Sequence, residues 1–347
     1  MLPDAFSIDT LCEMFRRFPA NQEAVHRMAY DSRRAFEEAK KQLVMSLTGS
    51  SDYRAVAFSS GTAAISVLSN WKRLRNKSIA TTKLEHPAVS HALKRAGAKC
   101  VYLKNDSCAG VEADCPESVG AVFIHHVQSE LGRVQNADEI FSAFPGAIKI
   151  ADTIQSAAKI PLPLSADILT VSGSKFGVPG TAALLVKKEY YSEIEALAEA
   201  GRAEYRSSRL IVPHFLAMAQ VAAKRMENIS ETLAHIKTLQ RLCRELAAEI
   251  NVRCTIPEEF SSPWICHLSL DGKDGAVVTR LLSESGICVG SGSACSAETG
   301  EPSAALRAIG YGKKEAFSGL RISFSQTTEE EDVKKLFEVL EKTLKNY

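Results

Sequence analysis

The sequence lacks the features that mark membrane-spanning, secreted or nucleic-acid-binding proteins. It has no apolar run of about 18 residues, the length that a membrane-spanning helix needs. Its first residues, MLPDAFSIDTLCEMFRRF, carry early acidic residues and do not show the basic-then-apolar order of a secretory signal. Lys and Arg number 42 against 41 Asp and Glu, so the net charge of +1 gives no electrostatic reason to expect nucleic acid or a membrane surface. We therefore expect a cytoplasmic protein.

The nine cysteines include no CxxC pair, and nine is an odd number. This arrangement favours neither a disulfide framework nor a zinc site, and it fits a reducing compartment. Most of these cysteines are expected in the core. Internal repeats and low-complexity segments are also lacking. The 347 residues, 45% of them apolar, suffice for one large domain and a smaller one.

Residues 50–190 alternate short apolar runs with helical patterns. The predicted strands are AVAF, SIATT, KCVYL, AVFIHH, AIKIADT, DILTVSGSK and TAALLVKK. Such alternation predicts an α/β fold with a mainly parallel sheet sandwiched by helices. A further helix is predicted over residues 22–47, with one side formed by Met28, Ala35, Ala39 and Leu43. In sheets of this type the ligand binds at the carboxyl ends of the strands.

The pattern changes after about residue 210. A long helical stretch covers residues 214–249, and then come the strand WICHLSL, the helix AVVTRLLSES, the strands ICVG and LRISFS, and a terminal helix. These elements predict a compact α+β unit. We expect a large domain over residues 14–210 and a small domain that combines residues 1–13 with 211–347.

Four features at predicted strand ends could carry chemistry. The first two, a turn and a carboxylate, suit an anionic, ring-shaped ligand. The turn SSGT, residues 59–62, joins a strand to a helix, where free N–H groups and the helix dipole can cradle a phosphate. The alternative is an ordinary turn. Asp152 ends a strand, with Gln155 shortly after it. A carboxylate buried there needs a cationic partner, although capping a following turn is the alternative.

The other two features are a lysine and a histidine. Lys175 follows a strand, and a partly desolvated amine there can bind an aldehyde. Ser172 and Ser174 beside it offer hydroxyls to a phosphate. His86 opens a helix, where its ring either stacks on a flat cofactor or acts as a simple cap. Together the four features are the equipment for pyridoxal phosphate, whose protonated ring withdraws electrons from a bound substrate.

Five longer segments carry a family resemblance. They are SGSAC followed by EPSAALRAIG, GLRISFSQTTEEED, ADTIQSAAKIPL, VSGSKFGVPGTAALLV and EHPAV. In these segments the chain resembles the fold-type I, class V pyridoxal-phosphate enzymes, and more narrowly the cysteine desulfurases. The likeness runs from about residue 17 to the C-terminus, with the segments in family order.

The resemblance implies a role for each matching residue. Cys295 would be the thiolate nucleophile on a mobile loop, Lys175 would shuttle protons, and Arg321 would hold the substrate carboxylate. His86 would join them as a catalytic residue. The implied cofactor-binding residues are Gly61, Thr62, Ala63, His86, Asp152, Gln155, Ser172, Ser174 and Lys175.

The resemblance also implies a reaction and partners. L-cysteine would yield L-alanine and a persulfide on Cys295, which an acceptor protein of iron–sulfur cluster assembly or tRNA thiolation would receive. The family forms homodimers. Neither direct nucleic-acid binding nor a metal site is implied.

Several positions depart from the family pattern. Ser174 stands where a histidine is usual, Ser129 replaces an asparagine, and Ala63 stands where a hydroxyl is usual. The family's RSGT appears as RSSR, which ends at Arg209. The family's opening segment, similar to LDNAAT, does not match MLPDAFSIDTL. A hydrogen bond from a hydroxyl contributes about 1 kcal/mol, so these departures predict a divergent enzyme with weaker cofactor binding.

Two other interpretations stay open. One keeps the fold and changes the reaction to that of a selenocysteine lyase, a cysteine sulfinate lyase or an aminotransferase. The SGSAC loop argues against an aminotransferase, which needs no mobile thiol. The other is a degenerate protein that binds a partner without turnover, and the retained Lys175 argues against it.

Overall fold

Apolar side chains alternate along the central strands and fill two cores, one on each face of a sheet. Tyr53, Ala55 and Ala57 lie in one core, whereas Val56 and Phe58 lie in the other. This alternation follows from the two-residue repeat of a strand. The computed structural model describes residues 3–19, 24–115, 118–204, 211–292 and 301–347.

Seven strands form the large sheet of the described chain. They are β1 (Tyr53–Phe58), β2 (Ser78–Thr81), β3 (Lys99–Tyr102), β4 (Ala121–His125), β5 (Ile148–Asp152), β6 (Ile168–Ser172) and β7 (Ala182–Lys187). Their order is β1-β7-β6-β5-β4-β2-β3, and β7 is antiparallel to both of its neighbours. The run β6-β5-β4-β2-β3 is parallel. The predicted α/β fold with a mainly parallel sheet is confirmed.

Helices cover both faces of this sheet. One face holds α1 (Ala5–Arg17), α2 (Arg27–Thr48), α5 (Ala137–Ser142) and α7 (Val212–Glu227). The other face holds α3 (Gly61–Val67), α4 (Pro87–Arg95) and α6 (Lys188–Glu204). Helix α2 begins later than expected, and the Met28 side chain, expected on its apolar side, is 54% exposed. Met28 lies in the first turn of α2, whereas Ala39 and Leu43 further along pack on the sheet.

A smaller α+β unit with its own core follows, built on a three-stranded antiparallel sheet. The unit contains α8 (Ile229–Glu249), β8 (Arg253–Cys254), β9 (Ile265–Ser269), α9 (Gly275–Glu284), α10 (Ala304–Ala308), β10 (Gly319–Ser323) and α11 (Glu330–Asn346). The strand order is β10-β9-β8, and Trp264, Leu320 and Phe337 lie in this core. The domain boundary near residue 210 stays a prediction, and α7 beyond it packs on α1 and α2.

Two predicted elements differ in the structure. The helical stretch 214–249 is two helices, α7 and α8, that meet at Asn228. The predicted strand ICVG is wrong, because within it only Gly290 pairs with a neighbouring strand, through an isolated bridge to Arg321. The bridge is possible because the backbone of Gly290 comes close to the arginine side chain. No helix in the described ranges is long and apolar enough to cross a membrane.

We expect Gly173→Ala to destabilise the turn that carries Lys175. A Cβ atom at position 173 would lie 2.3 Å from the Val178 carbonyl oxygen, so the backbone would have to move. The expected loss in the free energy of unfolding is about 1–3 kcal/mol, measured by urea denaturation. Gly201→Ala is the matched control, because nothing lies within 4 Å of its Cβ position. It should stabilise α6 slightly, and equal effects of both substitutions would contradict the prediction.

Candidate active site

The ends of three strands meet the start of α3. A Cβ atom at Gly61 would lie 2.6 Å from Ile154 Cδ1 and 3.4 Å from Ser172 Cβ. Gly61 is the first residue of α3, Ser172 ends β6, and Ile154 follows β5. The structure thus brings the SSGT turn, the Asp152 strand and the Lys175 strand together, as predicted for a ligand at the carboxyl edge of the sheet.

Hydroxyl groups surround the start of α3. The Ser60 hydroxyl accepts the N–H of Ala63 at 3.1 Å and caps the helix. The hydroxyls of Ser172 and Ser174 lie 2.9 Å apart, and Ser174 and Thr62 are exposed. Ala63 supplies no hydroxyl. This group of donors is suited to a phosphate, which helix N-termini favour.

Asp152 is a buried carboxylate at the end of β5. Its Oδ1 accepts hydrogen bonds from Thr170 Oγ1 at 2.7 Å and from the Ile154 N–H at 3.1 Å. Burial raises the pKa of Asp152, and these two hydrogen bonds oppose that rise. No described residue bonds Oδ2. The turn-capping alternative holds in part, because the Ile154 contact is local, and the second oxygen stays available for a cationic ring nitrogen. Gln155 follows in the same turn and is half-buried.

His86 caps helix α4 and faces the same site. Its Nδ1 accepts the N–H of Ala88 at 3.1 Å, so any proton on a neutral ring lies at Nε2. Burial lowers the pKa of His86, while the nearby Asp152 charge opposes that effect. The ring is therefore neutral near pH 7. Capping uses one ring nitrogen only, so the two functions considered from the sequence are compatible.

Lys175 ends a single helical turn, Gly173–Lys175, and is half-buried. Burial lowers the pKa of this amine most, followed by the positive charge of Arg321, while Asp152 raises it. A lowered pKa increases the fraction of unprotonated amine, which is the form that attacks a carbonyl. Lys175, Asp152, His86 and Arg321 therefore act on one another electrostatically in one site.

Arg321 lies on β10 between two backbone segments. Its Nη1 donates to the Ser129 carbonyl oxygen at 2.9 Å. On the other side its backbone exchanges hydrogen bonds with Gly290, and a Cβ atom there would lie 3.1 Å from Arg321 Nη2. A larger residue at 290 would displace the guanidinium. The Ser129 position thus contacts Arg321 through its backbone rather than its side chain.

Cys295 and Arg209 lie outside the described residues. Two described residues on either side of the Cys295 segment are close to the Arg321 region. Gly290 pairs with Arg321, and Ser303, the N-cap of α10, lies near Glu130, whose pKa both Ser303 and Arg321 lower.

The structure adds residues that the sequence interpretation did not name. Lys159 is 5% exposed, and its Nζ lies 5.7 Å from the centre of the Trp264 ring. Burial lowers its pKa to about 7, helped by the charges of Lys175, Arg225 and Arg321. Glu130 and His267 are also buried near Arg321. A lysine inside the small, apolar stretch SAAKIPL was the available sequence signal for Lys159.

The chain is similar to several known proteins. Cysteine desulfurase IscS of Serratia proteamaculans is 30% identical over 341 residues, which cover 92% of this chain and 83% of that relative. The Klebsiella pneumoniae IscS gives the same identity and coverage. Among solved structures, a NifS-like protein from Rickettsia africae has a TM-score of 0.86 at 22% identity, over 100% of this chain and 97% of that chain. An apo cysteine desulfurase from Thermococcus onnurineus has a TM-score of 0.83 at 18% identity, over 100% of this chain and 93% of that chain.

The site and the fold define a pyridoxal-phosphate enzyme of fold type I. The residues fit that cofactor, because a tight glycine-lined turn, a buried carboxylate with one free oxygen and a desolvated amine lie together. The model of the aminotransferase class-V family matches residues 5–336. The chain belongs to this pyridoxal-phosphate-dependent family.

We expect Lys159→Met to flatten the pH dependence of stability. The pKa of Lys159 in the folded chain, about 7, lies below the ordinary value of 10.5. Between these values the unfolded chain binds the extra proton, so stability rises with pH by at most about 1.4 kcal/mol per unit. Urea unfolding from pH 6 to 10 should show a steeper rise in the wild type than in the variant, which keeps only the smaller contribution of groups such as Lys175. Lys72→Met, at an exposed position, should keep it.

Proposed function

We propose that the protein is a cysteine desulfurase, which removes sulfur from L-cysteine and leaves L-alanine. The observation that carries this proposal is the position of Arg321, which acts on the Lys175 amine from the neighbouring sheet. A cation beside a reactive amine suits an amino acid, whose carboxylate and amino group are held together. The similarity to curated cysteine desulfurases supports the same conclusion.

The cofactor would be held by groups from successive strand ends. Lys175 would bind its aldehyde, and Asp152 would pair with its ring nitrogen through the free Oδ2. Its phosphate would lie at Gly61, Thr62 and Ala63 with the Ser172 and Ser174 hydroxyls, while the His86 ring would face the cofactor and Gln155 would contact it. When bound, pyridoxal phosphate supplies an electron sink that weakens bonds in the substrate.

The remaining residues would handle the substrate. Arg321 would bind its carboxylate by two parallel N–H bonds, after Ser129 has fixed one side of the guanidinium. The lowered pKa of Lys175 increases the unprotonated fraction of the amine, which can then accept a proton from the substrate and return it. Neutral His86, with its proton at Nε2, can donate to the substrate through that nitrogen while Nδ1 accepts from the helix backbone.

Cys295 would be the nucleophile. Its thiolate would bond to the substrate sulfur as the carbon–sulfur bond breaks, which leaves a persulfide on Cys295. The electron pair of the broken bond would stay with the substrate, whose carbon takes up a proton to give L-alanine. An acceptor protein for iron–sulfur cluster assembly or tRNA thiolation would then take the outer sulfur. We further propose a cytoplasmic homodimer, with a large domain over 14–210 and a small domain formed by 1–13 and 211–347. Both the Arg321 strand and the residues that flank Cys295 belong to that small domain.

The Cys295→Ala variant should abolish sulfide release without loss of the cofactor. The experiment purifies the protein with pyridoxal phosphate, records its visible spectrum, and measures sulfide from L-cysteine in the presence of dithiothreitol. The wild type should show cofactor absorbance and sulfide release. Cys288→Ala, at an exposed cysteine of the described chain, should keep both.

Each other outcome has a distinct meaning. Sulfide release that persists in Cys295→Ala would contradict the persulfide mechanism. A wild type with neither absorbance nor sulfide release would fit the degenerate protein. A wild type that prefers selenocysteine or cysteine sulfinate would fit the other lyases.

Arg321→Met should raise the KM for L-cysteine by about 10- to 100-fold, because a charged hydrogen-bonded pair contributes about 1.5–3 kcal/mol. Cofactor absorbance should change little, since the implied contacts of the cofactor come from other residues. The measurement is steady-state sulfide release over a range of L-cysteine concentrations. An unchanged KM would contradict the proposed role of Arg321 in substrate binding.

A further inference from the structure

Glu130 is a buried carboxylate beside Arg321. It follows Ser129, is 4% exposed, and its Oε1 has no hydrogen-bond partner among the described residues. Burial raises the pKa of Glu130, whereas the Ser303 hydroxyl and the Arg321 charge lower it. Glu130 is also the one carboxylate of the described chain whose charge raises the pKa of Arg321. No ion pair within 4.0 Å joins these two side chains in the described chain, so Glu130 acts on the buried guanidinium through its charge at longer range. The closer contact is made by its chain neighbour Ser129, whose carbonyl oxygen lies 2.9 Å from Arg321 Nη1.

His267 is a second buried residue close to both Glu130 and Arg321. It is the cross-strand partner of Arg321 in the β9–β10 pair, so the two side chains emerge on the same face. Its Nε2 is buried, has no partner in the described chain, and lies 4.0 Å from Glu130 Oε1. A Cβ atom at Gly319 would lie 2.8 Å from this nitrogen, so glycine there leaves the imidazole its space.

The Thr255 contact defines the state of His267. Thr255 Oγ1 lies 2.8 Å from Nδ1, and burial lowers the pKa of the ring to about 3, so the ring is neutral. If the hydroxyl donates to Nδ1, the ring proton lies at Nε2 and faces the free oxygen of Glu130. In that tautomer His267 Nε2 is a donor and Glu130 Oε1 is an acceptor, and neither atom has another partner in the described chain. At 4.0 Å the two atoms are within electrostatic range of each other but are not hydrogen-bonded.

We propose that Glu130 is a positioning residue for the substrate carboxylate: its charge draws the Arg321 guanidinium toward the carbonyl oxygen of Ser129, and the nearby His267 helps to keep Glu130 in place. This proposal rests on the proposed role of Arg321 in substrate binding. A fixed guanidinium presents its remaining N–H groups in one orientation, so less freedom is lost when a carboxylate binds. Without Glu130, substrate binding weakens more than turnover.

Glu130→Gln tests this role. Glutamine keeps the size of the side chain and an oxygen that accepts from Ser303, and it removes the charge that faces Arg321. We expect the KM for L-cysteine and the inhibition constant of L-alanine to rise about tenfold, with kcat changed less than twofold. The inhibition constant of cysteamine, which lacks the carboxylate, should not change. His267→Asn should shift the same constants in the same direction and by less.

A matched control removes another buried carboxylate. Asp167 pairs with Lys187 at 2.9 Å in the large sheet and takes no part in the site. Asp167→Asn should lower stability without changing the L-alanine constant. A double-mutant cycle combines Glu130→Gln with Arg321→Met. In the Arg321→Met background, Glu130→Gln should have no further effect on KM. An unchanged KM in Glu130→Gln, or an equal change for cysteamine, would overturn the proposal.

A measurement of unfolding separates this proposal from the proposed function. The shifts of the urea midpoint caused by Glu130→Gln and Arg321→Met should be non-additive if the two side chains pair. Additive shifts would overturn the pairing whether or not the enzyme is active. A wild type without sulfide release would contradict the proposed function, and the same cycle would then still decide whether Glu130 holds Arg321.

Discussion

The side-by-side ends of the parallel strands β4, β5 and β6 determine the site. His125 and Asp152 are register partners at the ends of β4 and β5, and Ser172 ends β6. A slip of one residue in this register would turn Asp152 toward the opposite face. The turns that carry Lys175 and the start of α3 are placed by the same strand ends. Packing of alternating side chains on both faces fixes the register and hence the chemistry.

Burial acts on acids and amines in opposite directions, and both effects favour neutral groups. The pKa values of Asp152 and Glu130 rise, while those of Lys159 and Lys175 fall. The positive charge of Arg321 further lowers the pKa values of both lysines, because it repels a second positive charge nearby. This excess of buried cationic groups suits a site that receives a phosphate and a carboxylate, because each anion offsets part of the desolvation. The charges of the protein side chains alone therefore do not balance in this site.

Much of this arrangement was predictable from the sequence, because each motif is a short continuous stretch that adjoins a strand or helix visible in the apolar pattern. Asp152, Lys175 and His86 each follow or open an element that the apolar pattern marks. The Glu130–His267 contact was not predictable, since it joins a turn of the large sheet to a strand of the small one over a long sequence separation. The wrong strand ICVG has a similar cause: its apolar residues resemble a strand, but only Gly290 meets a partner.

The departures from the family pattern have unequal physical consequences. At position 129 the backbone carbonyl holds Arg321, so replacing the asparagine side chain leaves that contact intact. At position 63 the N–H bonds to Ser60 whatever the side chain, but the hydroxyl is lost. Ser174 bonds to Ser172 and supplies no aromatic ring. Under the proposed function, the residues at positions 63 and 174 would therefore make fewer contacts to the cofactor, whereas the backbone contact that orients Arg321 does not depend on the side chain at position 129.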